Sequence, residues 1–210
     1  MSEKLTEQSC SNFTEALASR APVPGGGGAA ALTGALGVAL CSMAGNLTLG
    51  RKKYAAVEAD VQNLVAEGEA VRSRLLELVD EDAALFEPLA KAYSTPKEDP
   101  NRDKTLEAVT RSACAAPLEI MRYCCRAIGL LEEMLDKGST MLISDVGCGA
   151  LCCAAALESA GLNVYVNTRT LKDRAEAAKL ESEADGMLHT YGGRAERIAR
   201  EVTRRLLRKE

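Results

Sequence analysis

The sequence predicts an all-α fold, a bundle of about six helices around a buried central helix of small residues. Three observations carry this. Aromatic residues make up 3% of the 210-residue chain and Trp is absent, so the apolar content is mostly Ala, Leu and Val, which suits packed helices better than strands. Apolar residues recur at three- and four-residue spacing through most of the chain. Two long stretches, 21–50 and 141–160, are almost free of charge and rich in small residues, as helices inside a bundle would be. A chain of this length supports one core, so residues 1–210 are read as a single domain. With 47% hydrophobic and 27% charged residues the composition is globular and not disordered. A balance of 26 basic against 30 acidic residues, net −4, argues against a nucleic-acid partner held by an overall positive field.

Each element follows in order. Residues 3–19 place Leu5, Phe13, Ala16 and Leu17 at helical spacing and predict a short amphipathic helix, followed by a loop over 20–28. From Ala29 to Gly50 the small residues predict the central helix. The uncharged run from Ala21 to Gly50 is long enough to cross a bilayer, but it is Gly- and Ala-rich, has few Leu and opens with two prolines, so burial in a bundle is expected and a membrane partner is not. The charged Arg51-Lys52-Lys53-Tyr54 marks the exit to the surface. A helix over 54–93 is stopped by Ser94, Thr95 and Pro96, and a polar loop covers 94–102. A further helix over 103–136 should kink or break near Pro117, with Gly138 as its stop. Residues 141–160 predict a second buried helix ended by Gly161, and 163–167 a brief strand or the start of another helix. The last helix, 173–208, carries Arg197, Arg200, Arg204, Arg205 and Arg208 on a solvated face.

The eight cysteines lack Cys-x-x-Cys spacing, and the N-terminus lacks the basic and apolar regions of a signal peptide. Reduced thiols in the cytoplasm, acting as small buried apolar groups, are expected, with no metal site. The single histidine, His189, excludes any centre built on two His ligands, and it is expected in an exposed turn beside Gly192-Gly193.

Three features could carry chemistry. The segment Pro22–Ala31 satisfies G-x-G-x-x-A in form, but no strand precedes it, so the dinucleotide reading fails. What remains is four glycines at a helix start, where backbone N–H groups can receive an anion or a carbonyl; a hinge or a close chain crossing is the plain alternative. The run Gly45–Lys52 misses a P-loop because Arg51 stands where the Lys is required. Ser144–Ala150 (SDVGCGA) resembles motif I of S-adenosylmethionine-dependent methyltransferases and supplies a rival reading, weakened by the absence of a final glycine and of an acid after the next candidate strand. The third feature is positional. Leu75, Leu78, Val79, Leu85, Phe86 and Leu89 define an apolar stripe, and Asp82 falls on it, whereas Asp80 and Glu81 do not. An acid facing a core either finds a polar partner or borders a pocket, and both settings perturb its pKa. Asp145, the sole charge between Gly138 and Leu157, is either a similar group or a helix N-terminal carboxylate.

The string from Ala21 to Tyr54, then Leu78–Phe86 (LVDEDAALF), then Ala116-Pro117-Leu118 and Ser144-Asp145, resembles the cyclodeaminase/cyclohydrolase family in order and spacing. That family includes bacterial methenyltetrahydrofolate cyclohydrolases and the C-terminal domain of formiminotransferase-cyclodeaminase. The resemblance implies an all-helical homodimer without metal or redox cofactor, acting on a tetrahydrofolate derivative. It implies that the second Asp of Val-Asp-x-Asp-Ala, here Asp82, is the catalytic carboxylate. It further implies that Pro24, Gly25, Gly26, Gly27, Arg51, Lys52 and Asp145 line the folate cleft, with Arg51 and Lys52 attracting a polyglutamate tail. The first expectation for function is hydrolysis of 5,10-methenyltetrahydrofolate to 10-formyltetrahydrofolate. Cyclodeamination of formiminotetrahydrofolate is the alternative, a non-catalytic helical binding protein a third, and the methyltransferase a lesser, fourth one.

Overall fold

The computed structural model describes residues 4–207, and every regular element among them is helical. After a 3-10 turn at Leu5–Glu7 come α1 (Cys10–Ala18), α2 (Gly26–Asn46), a 3-10 segment at Lys52–Val57, α3 (Glu58–Tyr93), α4 (Arg102–Ala113) and α5 (Ala115–Lys137). A 3-10 turn at Thr140–Leu142 leads into α6 (Ile143–Thr168), then α7 (Arg174–Met187), a π turn at Leu188–Gly192 and α8 (Gly193–Leu206). Because α4 abuts α5 at Cys114, and α7 runs through the π turn into α8, the eight α-helices form six rods. Serine and aspartate caps start two of them: Ser9 Oγ accepts from the Asn12 N–H, and the Asp173 carboxylate accepts from the Glu176 N–H.

The centre of the bundle is α2, which packs on α3, α5 and α6. It lies antiparallel to α6, and small residues set how closely the two approach. A Cβ on Gly37 would lie 2.8 Å from the Gly149 carbonyl oxygen, and one on Gly149 would lie 2.7 Å from the Gly37 carbonyl oxygen. Backbone thus meets backbone at this crossing, and any side chain at either position would force the helices apart. Around it Val38, Leu75, Leu78, Ile120, Met121, Ile128, Leu131 and Leu157 are fully buried and form the core.

Several boundaries differ from the sequence reading. The helix expected from Ala29 begins at Gly26, so the glycines form its first turn instead of a loop. The break expected at Pro117 falls at Cys114, and Pro117 occupies the first turn of α5, where its missing N–H has no intrahelical acceptor to lose. Gly161 does not end α6. It is buried, with Leu188 and Met121 filling the space a side chain would need, and residues 163–167 continue the helix to Thr168. No strand is present among the described residues, and SDVGCGA lies at the start of α6; the βαβ unit that a methyltransferase motif requires is absent, which overturns that reading. His189 is exposed in a turn, as expected, here a π turn. Cys41, Cys114, Cys124, Cys125 and Cys153 are buried as expected, but Cys10 and Cys148 are exposed. Arg208 lies outside the described residues.

The expectation of two buried apolar helices holds on one side only. Both are long and apolar enough to cross a membrane, yet only 56% of the most apolar stretch of α2 and 44% of that around α6 are buried in the bundle. Their outward faces carry Leu36 and Met43 on α2, with Leu47 just past its end, and Cys148, Leu151, Leu162 and Val166 on α6.

Candidate active site

A cleft of about 130 Å³ opens at the N-terminal end of α2, where that helix meets the middle of α3, the α4–α5 junction and the end of α6. Its walls are Pro22, Val23, Phe86, Ala113, Pro117 and Val166, and its polar groups are Asp82, Asn163, Asn167 and the backbone of Gly25, Gly26 and Gly27. The chain enters α2 through a cis Val23–Pro24 peptide bond, and Pro24 is buried just behind the cleft, against Gly28. Gly25 caps α2 without a side chain, so the first amides of the helix face the opening with no intrahelical acceptor.

Among the described residues Asp82 is the only titratable side chain in the lining. Burial pushes its carboxyl up to about 6, and the Gly28 amide pulls it partly back. A Cβ on Gly27 would fall 2.2 Å from Asp82 Oδ1, so the carboxylate rests against the bare Cα of that glycine. The glycine segment and the acid are therefore one construction: the acid's position requires the absence of a side chain 55 residues earlier in the chain.

Three consecutive acids on α3 have three different surroundings. Asp80 accepts from the Leu5 N–H at 2.8 Å and from Thr6 Oγ1, fastening the N-terminal segment to α3. Glu81 is exposed and is gripped through both oxygens by Arg74. Asp82 alone faces the cleft, because the apolar stripe containing Leu75, Leu78 and Val79 turns that side of the helix inward.

Asn163 and Asn167, one turn apart on α6, were not singled out by sequence. Asn163 donates to the Ser159 carbonyl at 2.8 Å and Asn167 to the Ala113 carbonyl at 3.1 Å, which leaves each amide an oxygen and a second N–H for a ligand. Their i,i+4 spacing was the available signal, but Val164-Tyr165-Val166 has strand character and obscured it. Phe86, read from sequence as part of the stripe, stands one turn beyond Asp82 and offers the cleft a flat apolar wall.

Arg51, Lys52 and Asp145 are not in this cleft within one chain. Arg51 and Lys52 are exposed in the turn after α2, about 30 Å away by helical rise along its 21 residues. There Arg51 Nη1 reaches Ser139 Oγ at 3.4 Å, and the Tyr54 hydroxyl accepts from the Thr140 N–H at 3.1 Å. Asp145 lies at the same far end, in the first turn of α6, where a carboxylate complements the helix dipole. Among the described residues no three His, Cys, Asp or Glu side chains converge as metal ligands would.

Comparison with known proteins is consistent with this geometry. A family model described as formiminotransferase-cyclodeaminase matches residues 9–186. A methenyltetrahydrofolate cyclohydrolase from Methylorubrum extorquens is 42% identical over 190 residues, covering 89% of this chain and 91% of that protein. A formimidoyltransferase-cyclodeaminase from Sus scrofa is 30% identical over 190 residues, 89% of this chain but 35% of that longer protein. A crystal structure of formiminotetrahydrofolate cyclodeaminase from Thermotoga maritima superposes with a TM-score of 0.82 at 26% identity, covering 94% of this chain and 98% of that one.

Proposed function

The chain belongs to the formiminotransferase-cyclodeaminase family, and from that premise we propose that it hydrolyses 5,10-methenyltetrahydrofolate to 10-formyltetrahydrofolate with Asp82 as general base and acid. The observation that carries the reading is the Asp82 carboxylate, half-buried against Gly27 in a cleft that no other titratable side chain among the described residues lines. The 42% identity to a cyclohydrolase over nearly its whole length supports this choice of reaction.

The chemistry suits a lone acid. The substrate carbon bridging N5 and N10 is a cationic amidinium, already electrophilic, so neither a metal nor a redox carrier is required to activate it. Asp82, ionised at neutral pH with a pKa near 6, takes a proton from water as its oxygen bonds to that carbon, giving a neutral tetrahedral adduct. The protonated Asp82 then gives the proton to N5, the carbon–N5 bond breaks, and the hydroxyl of the adduct loses its proton to solvent as the formyl group forms on N10. One water enters and one proton is released overall. Before the attack, the carboxylate also stabilises the substrate cation. Asn163 and Asn167 suit the amide edge of a reduced pterin, and the first amides of α2 suit its carbonyl or a carboxylate.

A second reading, cyclodeamination of formiminotetrahydrofolate, is favoured by the likeness to the Thermotoga maritima structure. There N10 would attack the formimino carbon and the protonated Asp82 would give its proton to departing ammonia, forming the methenyl compound. The same proposal holds that the protein works as a homodimer in the cytoplasm, where eight unbridged thiols suit a reducing medium.

The test supplies purified protein with each folate separately and follows the methenyl absorbance. Its loss above the spontaneous rate supports the cyclohydrolase. Its gain from the formimino compound, with ammonia released, supports the cyclodeaminase. No change with either substrate overturns both.

A further inference from the structure

Gly27 is not alone at the start of α2 in carrying a polar group from another helix. A Cβ on Gly26 would lie 3.2 Å from Asn163 Nδ2 and 3.3 Å from Asn163 Oδ1. The carboxamide of α6 thus turns its N–O edge to that Cα, as the Asp82 carboxylate of α3 rests against the next. Consecutive Cα atoms are about 3.8 Å apart, and consecutive helical positions point about 100° apart around the axis. The acid and the amide therefore flank the open end of α2, and both line the same cleft. At that end the Ala29 N–H reaches the Gly25 carbonyl at 3.0 Å, and the Gly28 N–H faces Asp82. The N–H groups of Gly26 and Gly27 are left to whatever enters.

The hydrogen bonds of the two cleft asparagines set them apart. Asn167 ties α6 to the α4–α5 junction through the Ala113 carbonyl, a structural reason for an amide at that position. Asn163 ties no two elements together, since its bond to the Ser159 carbonyl stays within α6. Asn is also a weak helix former, and Ala160 and Val164 around it are fully buried apolar groups. What the Ser159 bond does is fix an orientation. A carbonyl accepts only from the amide nitrogen, so Nδ2 is held on Ser159 and Oδ1 keeps its lone pairs for the cleft.

Building on the folate reading, we propose that Asn163 is the second catalytic residue of this site: its Oδ1 and the Asp82 carboxylate together hold the water that attacks the bridging carbon, and the pterin edge is left to Asn167. A water so placed donates one O–H to each acceptor, which turns an oxygen lone pair toward the carbon. As the carbon–oxygen bond forms, the O–H on Asp82 breaks and its proton passes to the carboxylate. The other O–H persists as the hydroxyl of the adduct, still donating to Asn163, which accepts a hydrogen bond and never a proton. Without the amide the water keeps one partner and turns about it.

Three readouts test this. Asn163→Ala should lower kcat for the methenyl compound about 10²-fold, with little change in KM or in the calorimetric affinity for 5-formyltetrahydrofolate, which has no bridging carbon to attack. Asn167→Ala, one turn away, should instead raise KM. Asn163→Asp keeps the acceptor but sets a second carboxylate beside Asp82, in a cleft that no other titratable side chain among the described residues lines. Like charges oppose ionisation, so the acid limb of kcat/KM should move to higher pH than in wild type, and above that limb kcat should exceed that of Asn163→Ala. The third readout needs no turnover: at pH 7, Asn163→Asp should cost less stability to urea in an Asp82→Asn background than in wild type. Near-normal kcat in Asn163→Ala, a loss confined to KM, an unmoved acid limb in Asn163→Asp, or strictly additive stability costs would each overturn the proposal, while wild-type hydrolysis would leave the functional reading standing. Should Asn163→Ala fail to fold, the limb and the stability cycle of Asn163→Asp decide. Wild-type protein that hydrolyses no methenyl compound would defeat the functional reading itself and the role of Asn163 with it.

Discussion

At the scale of a residue, the decisive fact is a carboxylate held against a glycine. With a pKa near 6 in the fold against about 3.9 unfolded, the ionised form of Asp82 is disfavoured in the native state. Its cost to stability is therefore fully present above pH 6 and fades as pH falls toward 4, with a ceiling of about 3 kcal/mol. Asp82→Asn should lower turnover by about 10²–10⁴-fold while making the protein more stable at pH 7. Urea denaturation of both proteins should show that advantage shrinking between pH 6 and pH 4. With Asp82 as the proposed general base, kcat/KM should fall on the acid side with a midpoint near pH 6. With the cationic methenyl substrate bound, the ionised acid is favoured, so the acid limb of kcat should lie at lower pH than that of kcat/KM. Asp82 was legible in the sequence because it interrupts an apolar stripe that its two acidic neighbours avoid. Its contact with Gly27 was not, because nothing in a local pattern places residues 55 apart side by side.

Helices and their crossings set the next level. The same substitution should have opposite effects at two glycines. Gly149→Ala puts a methyl 2.7 Å from a carbonyl oxygen of α2, and forcing the helices apart should cost about 1–3 kcal/mol in a urea melt. Gly186→Ala, in the last turn of α7 with nothing within 4 Å of the added carbon, should stabilise by up to about 1 kcal/mol. Most helices could be read from periodicity, charge and stop residues. The reading failed where tertiary packing overrode local preference: Gly161 resembles a stop, yet it continues α6 because Leu188 and Met121 occupy its side-chain space. The strand-like Val164-Tyr165-Val166 is helical because Val164 is buried in the bundle core. That misreading also hid the two asparagines of the cleft.

Over the whole molecule, the residues read from sequence as one site divide into two groups at opposite ends of α2. Their order along the chain was visible, but the distance between the groups was not, since a helix of 21 residues separates what the text of the sequence nearly joins. If the exposed Lys52 attracts the glutamate end of the folate, then Lys52→Ala should raise KM for a polyglutamylated folate several-fold more than for the monoglutamate, with kcat nearly unchanged. Steady-state kinetics on the two substrates checks this, and an equal effect on both would remove Lys52 from the tail site.

The tie between Asp80 and the backbone of Leu5 has an outcome for anyone handling the protein at the bench. The turn of α3 that presents Asp82 to the cleft is anchored, two residues earlier, through the Leu5 N–H. Clipping the chain up to Gln8 would strand the Asp80 carboxylate without its donors and let that turn drift, so a truncation that never touches the cleft should slow catalysis with the fold intact by circular dichroism.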